Sequence, residues 1–295
     1  MTKTTFAALL LLAGTAASAG AQTKVYPYPG DQTWQPWTEV GGTAEITGTN
    51  PDQYGGNGSL ELHTAGSLSD WGFYTHYADG GSFWGYLEDV NTLQFDWYRE
   101  ATSVSSSYGS PWLAQTPVLR LLLREDLGSQ QFAYSELVWE KYYTDAAPAT
   151  LNSWQTVDMF AGSGQNFWYH SITDTEYASL SCTNMVGPEF LAPPYNQTVF
   201  GATLGTWSDS PCSLGGLQVY GVALGVGSYW PEAYTGYVDW LQLGFATDQD
   251  GPAVYADFEL PPTVVPEPGS IILVGTGLLG LGAASWRSRR RRGQG

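Results

Sequence analysis

The sequence predicts an all-β protein, a two-sheet antiparallel β-sandwich of jelly-roll type, followed by a C-terminal transmembrane helix. Three observations predict it. Short runs of Leu, Val, Thr and aromatic residues alternate with polar ones and are separated by clusters of Gly, Asn, Asp, Pro and Ser, the punctuation of turns. Aromatic residues reach 15% while charged residues are only 13%, so the 295 residues carry ample surface for one large β core and do not read as disordered. Each end of the chain is apolar, with its own distinctive flank. Coiled coils and helical bundles draw on Ala, Leu, Glu and Lys, whereas this chain spends its residues on 13 Trp, 19 Tyr and 36 Gly.

The N-terminus has a lysine at position 3, an apolar run over residues 6–13 and small residues over 16–21. That order is a secretory signal peptide, residues 1–21, cleaved after Ala19 or Ala21; its apolar run is too short to span a bilayer. Residues 22–37 read as an irregular lead-in, with Pro27, Pro29, Gly30 and Pro36 among aromatics.

The sandwich is expected over 38–250, with strands at 43–47, 59–64, 72–77, 92–99, 118–124, 135–142, 153–159, 166–170, 198–204, 217–226 and 235–245. Leu93, Phe95 and Trp97 fall on one face of their strand, and Leu119, Leu121 and Leu123 on one face of theirs. Such period-two patterning marks half-buried antiparallel strands. One helical candidate lies at 174–181, and a linker is expected over 251–264.

Between the two ends, residues 22–265 hold 27 acids against five bases, a net charge of −22. Duplex nucleic acid, whose phosphates need Lys and Arg clusters, is excluded as a partner. Cys182 and Cys212 are an even pair in an exported chain and are expected to form a disulfide, whose loop stabilises by about 3–4 kcal/mol in the chain-entropy model.

At the C-terminus, Pro266, Glu267 and Pro268 precede eighteen uncharged residues, 269–286, and then Arg287, Arg289, Arg290, Arg291 and Arg292. Eighteen helical residues reach ~27 Å, enough for a hydrocarbon core, and the arginines would hold the tail end in the cytoplasm. Gly275, Gly277 and Gly280 fit a dinucleotide-loop pattern, but no strand precedes them, so the pattern carries no cofactor. Residues 265–295 resemble the PEP-CTERM sorting signal of Gram-negative bacteria. The resemblance implies that an exosortase, an integral-membrane protease, cuts near Pro266, Glu267 and Pro268. The body is then released or attached at the cell surface, commonly in organisms that make exopolysaccharide.

The body has a resemblance of its own. The strand after Asn57, with Leu60 and Leu62, and the strand from Gly236 to Leu243 resemble the opening and closing strands of carbohydrate-binding jelly rolls. The closing-strand aspartate of those modules, here Asp239, often binds a structural calcium; Trp240 stands where they usually have Asn. Calcium takes about six to eight oxygens. Asn50 and Asp52, in the loop before the opening strand, and Glu45 are the expected partners of Asp239.

Trp71, Tyr74, Trp84, Tyr86, Trp168, Tyr169 and Trp230 are the candidate glycan-stacking residues, since flat rings outside a rigid sandwich can pack on pyranose C–H faces. Trp97, Trp139 and Trp154 stand in clean strand patterns and read as core. No catalytic residues are expected. Glu136 and Glu140 lie about 13 Å apart along one strand face. Glycosidase carboxyls lie about 5–5.5 Å or 6.5–9.5 Å apart, so these two are expected to face Arg120 and Arg124 as charge pairs instead. Serine-hydrolase, zincin and Walker motifs do not occur.

The expectation is therefore an exported cell-surface or matrix protein, held transiently in the inner membrane before an exosortase sorts it. It would carry a non-catalytic sandwich that binds polysaccharide. A structural surface coat without a specific ligand, or a glycoside hydrolase, are the alternatives.

Overall fold

The computed structural model describes residues 27, 32–39, 41–51, 54–66, 71–103, 112–145, 147–162, 164–172, 198–209, 212–226, 233–246 and 253–261. The chain divides into two units, Met1–Leu260 and Pro261–Gly295, and the β-structure described below belongs to the first.

The strands, in chain order, are β1 (Trp34–Glu39), β2 (Thr43–Thr47), β3 (Ser59–Ala65), β4 (Trp71–Tyr77), β5 (Gly85–Tyr86), β6 (Val90–Arg99) and β7 (Val118–Gly128). They continue with β8 (Gln131–Trp139), β9 (Gln155–Asp158), β10 (Asn166–Ser171), β11 (Thr198–Thr203), β12 (Gln218–Val226), β13 (Ala233–Phe245) and β14 (Val254–Ala256). Two antiparallel sheets result. The larger runs β1-β4-β12-β7-β8-β10-β11 with β5 added to β12; the smaller runs β2-β3-β13-β6-β9 with β14 added to β13.

The period-two pattern sets the core. Leu93, Phe95 and Trp97 of β6 face Leu119, Leu121 and Leu123 of β7 and Val222 and Leu224 of β12 in one buried cluster. Phe95 and Trp139 meet edge to face at 5.4 Å, joining the two sheets. Burial of each such side chain stabilises the fold by about 1.5–3 kcal/mol. Trp154 departs from expectation: it is half-buried and packs on Tyr98, 5.6 Å between ring centroids. Tyr98 alternates with the inward-facing Trp97, so this contact lies on the outer face of the smaller sheet.

Both the expected irregular lead-in and the expected linker contribute to the sandwich. Within 22–37, Trp34 opens β1; its indole is 1% exposed and stacks on Tyr74 at 5.7 Å and His76 at 5.0 Å. Pro36 is tolerated because β1 is an edge strand and needs no inner ladder donor there. Within 251–264, β14 pairs with β13, and Phe258 is fully buried against Trp34 at 5.1 Å. The backbone N–H of Asn57 donates to Glu259 Oε2 at 2.6 Å, and that of Leu260 donates to Asn57 Oδ1 at 2.8 Å. Pro residues hid this segment in the sequence, but the sandwich reaches Leu260.

The strand expected at 135–142 stops at Trp139, and Lys141–Thr144 form a single helical turn. The signal peptide 1–21, the helical candidate 174–181 and the membrane span 269–286 lie outside the described residues. Among the described residues no helix is long and apolar enough to cross a membrane.

Strand β13 contains a bulge at Trp240, where the register shifts between Asp239 and Gln242. Trp240 has φ 53°, a left-handed conformation that costs a bulky residue about 1–2 kcal/mol. Asp239 Oδ1 holds the bulge by accepting from the backbone N–H of Trp240 at 2.8 Å and of Phe258 at 2.9 Å.

Candidate functional site

The outer face of the larger sheet carries a groove of about 300 Å³. Its geometry follows from strand parity. Because Trp34, Tyr74 and His76 point inward, Trp37 of β1 and Trp71, Phe73, Thr75 and Tyr77 of β4 point outward. Register places Trp37 opposite Phe73 and Glu39 opposite Trp71. Trp71 Nε1 donates to Glu39 Oε2 at 3.2 Å, which fixes the indole, and the neighbouring Phe73 ring lies 5.6 Å away. Trp37 is 53% exposed at the rim.

Strand β12 makes the depression. It offers only Ala223 to the groove, next to Gly225, where a Cβ would lie 2.0 Å from Phe73 Cδ1. A side chain there would displace the aromatic floor. Beyond it stand Arg120 and Leu122 of β7 and Glu136 of β8. The Arg120 guanidinium covers the Phe73 ring at 4.2 Å, and its Nη1 donates to Glu136 Oε1 at 2.5 Å. His170 Nδ1 approaches the same oxygen at 3.0 Å. Burial alone would push the Glu136 carboxyl up, but the Arg120 charge and the hydrogen bonds from His170 and Arg120 outweigh it and hold it below the usual carboxylate range.

Glu140, farther along the same side of the sheet, is in the opposite condition. Burial pushes its carboxyl up to about 7, against the opposing pull of the Arg120 charge and a hydrogen bond from Trp168 Nε1 at 3.3 Å. The far end of the face is aromatic again: Tyr77 stacks on Tyr220 at 6.0 Å, and Tyr134 meets Tyr220 edge-on at 5.4 Å. The expected Arg120–Glu136 pair is thus present, whereas Arg124 faces Tyr134 across the ladder and pairs with no carboxylate among the described residues. It donates from Nε to Gln218 Oε1 at 2.8 Å and from Nη2 to the Gly81 carbonyl at 2.9 Å.

The groove is an open trough with aromatic floor and rim and a charged, hydrogen-bonding wall. That set suits a ligand with flat apolar faces and equatorial polar groups.

The candidate stacking residues divide accordingly. Trp71 lines the groove, and Trp168 lies half-buried on the same sheet face beside Glu140. Tyr74 and Tyr169 are core residues, 4% and 0% exposed, because each occupies an inward position of its strand. Trp84 is partly buried against the core, tilted over His76 at 5.3 Å. Tyr86 is 40% exposed, on the short β5 next to Phe83. Trp230 lies outside the described residues. Trp37 was not expected. Trp34 and Trp37 are three residues apart, so extending that run puts them on opposite faces, one in the core and one outside; reading it as irregular hid this.

Of the expected calcium ligands, Asp239, Asn50 and Glu45 are among the described residues. Asp239 Oδ1 is used by two backbone N–H groups, and the Asn50 amide donates to Glu100 Oε1 at 3.4 Å. Glu45 is exposed on β2, paired in register with Glu61. Asp52 lies outside the described residues. Among the described residues no group of three or more His, Cys, Asp or Glu side chains could hold a metal ion. Cys212 is buried, 4% exposed, and there is no free cysteine among the described residues; Cys182 lies outside them.

Fold and site together describe an all-β sandwich with an open aromatic groove on one sheet. Comparison adds the sorting class: residues 264–291 match the PEP-CTERM protein-sorting motif. Pro266, Glu267, Pro268 and the arginines up to Arg291 fall within that match, as the sequence implied. The motif marks an exported, cell-surface protein sorted through an exosortase. No match was found among curated proteins.

Solved structures to which this chain is similar include a family 11 carbohydrate-binding module from Clostridium thermocellum, in complex with a β-1,3-1,4-mixed-linked tetrasaccharide. The TM-score is 0.34 with 10% identity, over 72% of this chain and 88% of that one. An exo-β-agarase gives TM-score 0.35 and 11% identity, over 76% of this chain and 25% of that one. A β-1,2-glucanase from Parabacteroides distasonis gives TM-score 0.32 and 12% identity, over 73% of this chain and 23% of that one.

Proposed function

We propose that this is a non-catalytic glycan-binding protein of the cell surface, whose sandwich holds a polysaccharide in the groove between Trp37, Trp71 and the Arg120–Glu136 wall. The observation that carries the reading is the groove itself. A 53% exposed indole and a second, hydrogen-bonded indole stand beside a partly buried charge pair, on a face that needs none of them for the core.

Export proceeds through the signal peptide 1–21, and the C-terminal segment 269–286 anchors the chain transiently in the inner membrane until the exosortase acts near Pro266, Glu267 and Pro268. Cys182 and Cys212 form a disulfide in the oxidising compartment. The ligand is a polysaccharide of the cell's own matrix or of its surroundings. A hydrolytic role is not proposed. Glu136 and Glu140 stand four residues apart on one strand side, and Glu136 is committed to Arg120 and His170.

The test is affinity electrophoresis of the full-length protein in mild detergent, through gels containing soluble polysaccharides. Retardation by at least one glycan is the expected result. Free migration through the whole panel by a folded protein would support the surface-coat alternative instead.

A further inference from the structure

The outer face of the smaller sheet carries an aromatic feature that the groove does not use. Trp240 occupies the bulge of β13 with a left-handed backbone, where Gly or Asn would sit without strain. The backbone therefore does not call for an indole at this position. Tyr54 rests on Trp240 with ring centroids 4.4 Å apart, and Tyr255 meets the indole edge-on at 5.5 Å. Tyr54, from the loop before β3, is 57% exposed.

Gln242 stands in register with Tyr255, the edge-on neighbour of Trp240. Register aligns Gln242 with Gln94, and Gln94 with Asp158 on the next strand. The chain neighbours Leu93 and Leu243 are in the core, so both glutamines point outward. Both are half-buried, and among the described residues neither side-chain amide has a protein hydrogen-bond partner.

We infer that this face is a second polysaccharide-binding site, in which a neutral pyranose chain packs on Tyr54 and Trp240 and is gripped by the amides of Gln94 and Gln242. An aromatic ring matches the C–H face of a sugar, and an amide presents a donor and an acceptor in one plane, which suits vicinal hydroxyls. A purely apolar ligand would leave the two amides unused. Anionic sugars are disfavoured by Asp158 at the end of the amide row and by the net charge of −22 over residues 22–265. The inference stands on residues separate from the groove. Because the two faces look away from each other across the sandwich, one molecule with both sites links two glycan chains.

The test uses full-length protein in affinity gels containing hydroxyethylcellulose, laminarin, dextran or galactomannan, with alginate as the anionic comparison. In a Trp37→Ala, Trp71→Ala background, retardation by at least one neutral glycan persists and alginate gives none. Adding Trp240→Asn abolishes that retardation, as does Tyr54→Ala, while the melting temperature of the Trp240→Asn protein is unchanged or raised because Asn accepts the left-handed backbone. Free migration of the Trp37→Ala, Trp71→Ala protein on every gel would overturn the second site and leave the groove standing. Retardation that survives Trp240→Asn and Tyr54→Ala, retardation by alginate alone, or a lowered melting temperature for Trp240→Asn would each overturn it too. If the groove substitutions change nothing while Trp240→Asn abolishes binding, the groove reading fails and the second site stands.

Discussion

Arg120 Nη1 lies 2.5 Å from Glu136 Oε1, and this pair is the charged wall of the groove. The side chains are 19% and 6% exposed, so each charge depends on the other for solvation. Glu136→Leu strands the guanidinium and is expected to destabilise the protein by about 2–4 kcal/mol. The double variant Arg120→Leu, Glu136→Leu removes both charges and is expected to recover most of that loss without recovering the groove's share of glycan binding. Denaturant midpoints of the single and double variants, read beside their retardation, check this. A double variant no more stable than Glu136→Leu would contradict it.

Glu140 sets a pH dependence of known sign. Its carboxyl is pushed up from 4.5 to about 7, chiefly by burial, so the folded protein keeps a proton that the unfolded chain releases. The stability contributed by this group is complete below pH 4.5 and is lost as pH rises through about 7. Glu140→Gln mimics the protonated form and is expected to flatten the decline, so that the variant is the more stable protein above about pH 7.5. Thermal unfolding of both proteins across this range tests it; parallel curves would show that Glu140 does not retain its proton. Glu136 acts in the opposite sense, its contribution disappearing in acid as its lowered carboxylate protonates.

The C-terminal end of the sandwich makes a third prediction. Phe258 is fully buried against Trp34 and Tyr74, so Phe258→Ala is expected to cost about 3–5 kcal/mol. Asn57→Ala removes the acceptor of the Leu260 N–H and should cost about 1 kcal/mol. Chemical denaturation of both variants checks the ranking. A Phe258→Ala protein within about 0.5 kcal/mol of the original would mean that the 253–261 segment does not anchor the sandwich.

What was legible in the sequence was whatever alternates. Leu93, Phe95 and Trp97, or Leu119, Leu121 and Leu123, announce strand and inward face together, because parity and hydrophobicity agree. Where prolines break the pattern, as around Pro36 or after Phe258, strand and core contributions are concealed although Trp34 and Phe258 are among the most buried side chains. The groove was only partly legible. Trp71 was among the expected residues, but Tyr74 and Tyr169 show that aromatic clustering does not distinguish the inward from the outward position of a strand. The Arg120–Glu136–His170 arrangement depends on the register of β7, β8 and β10, which no local pattern states. Trp240 illustrates the reverse case: its departure from the usual Asn was visible, but the left-handed backbone that gives the departure meaning was not.

The central claim is that a glycan lies against Trp37 in the groove. The most direct measurement compares Trp37→Ala with Tyr86→Ala, two exposed aromatics of which only the first lines the groove, against the glycan that retards the original protein most. With both variants folded, Trp37→Ala is expected to weaken apparent affinity by about tenfold or more, and Tyr86→Ala to leave it unchanged. Equal retardation of the original and Trp37→Ala proteins, with loss confined to Tyr86→Ala, would contradict the account.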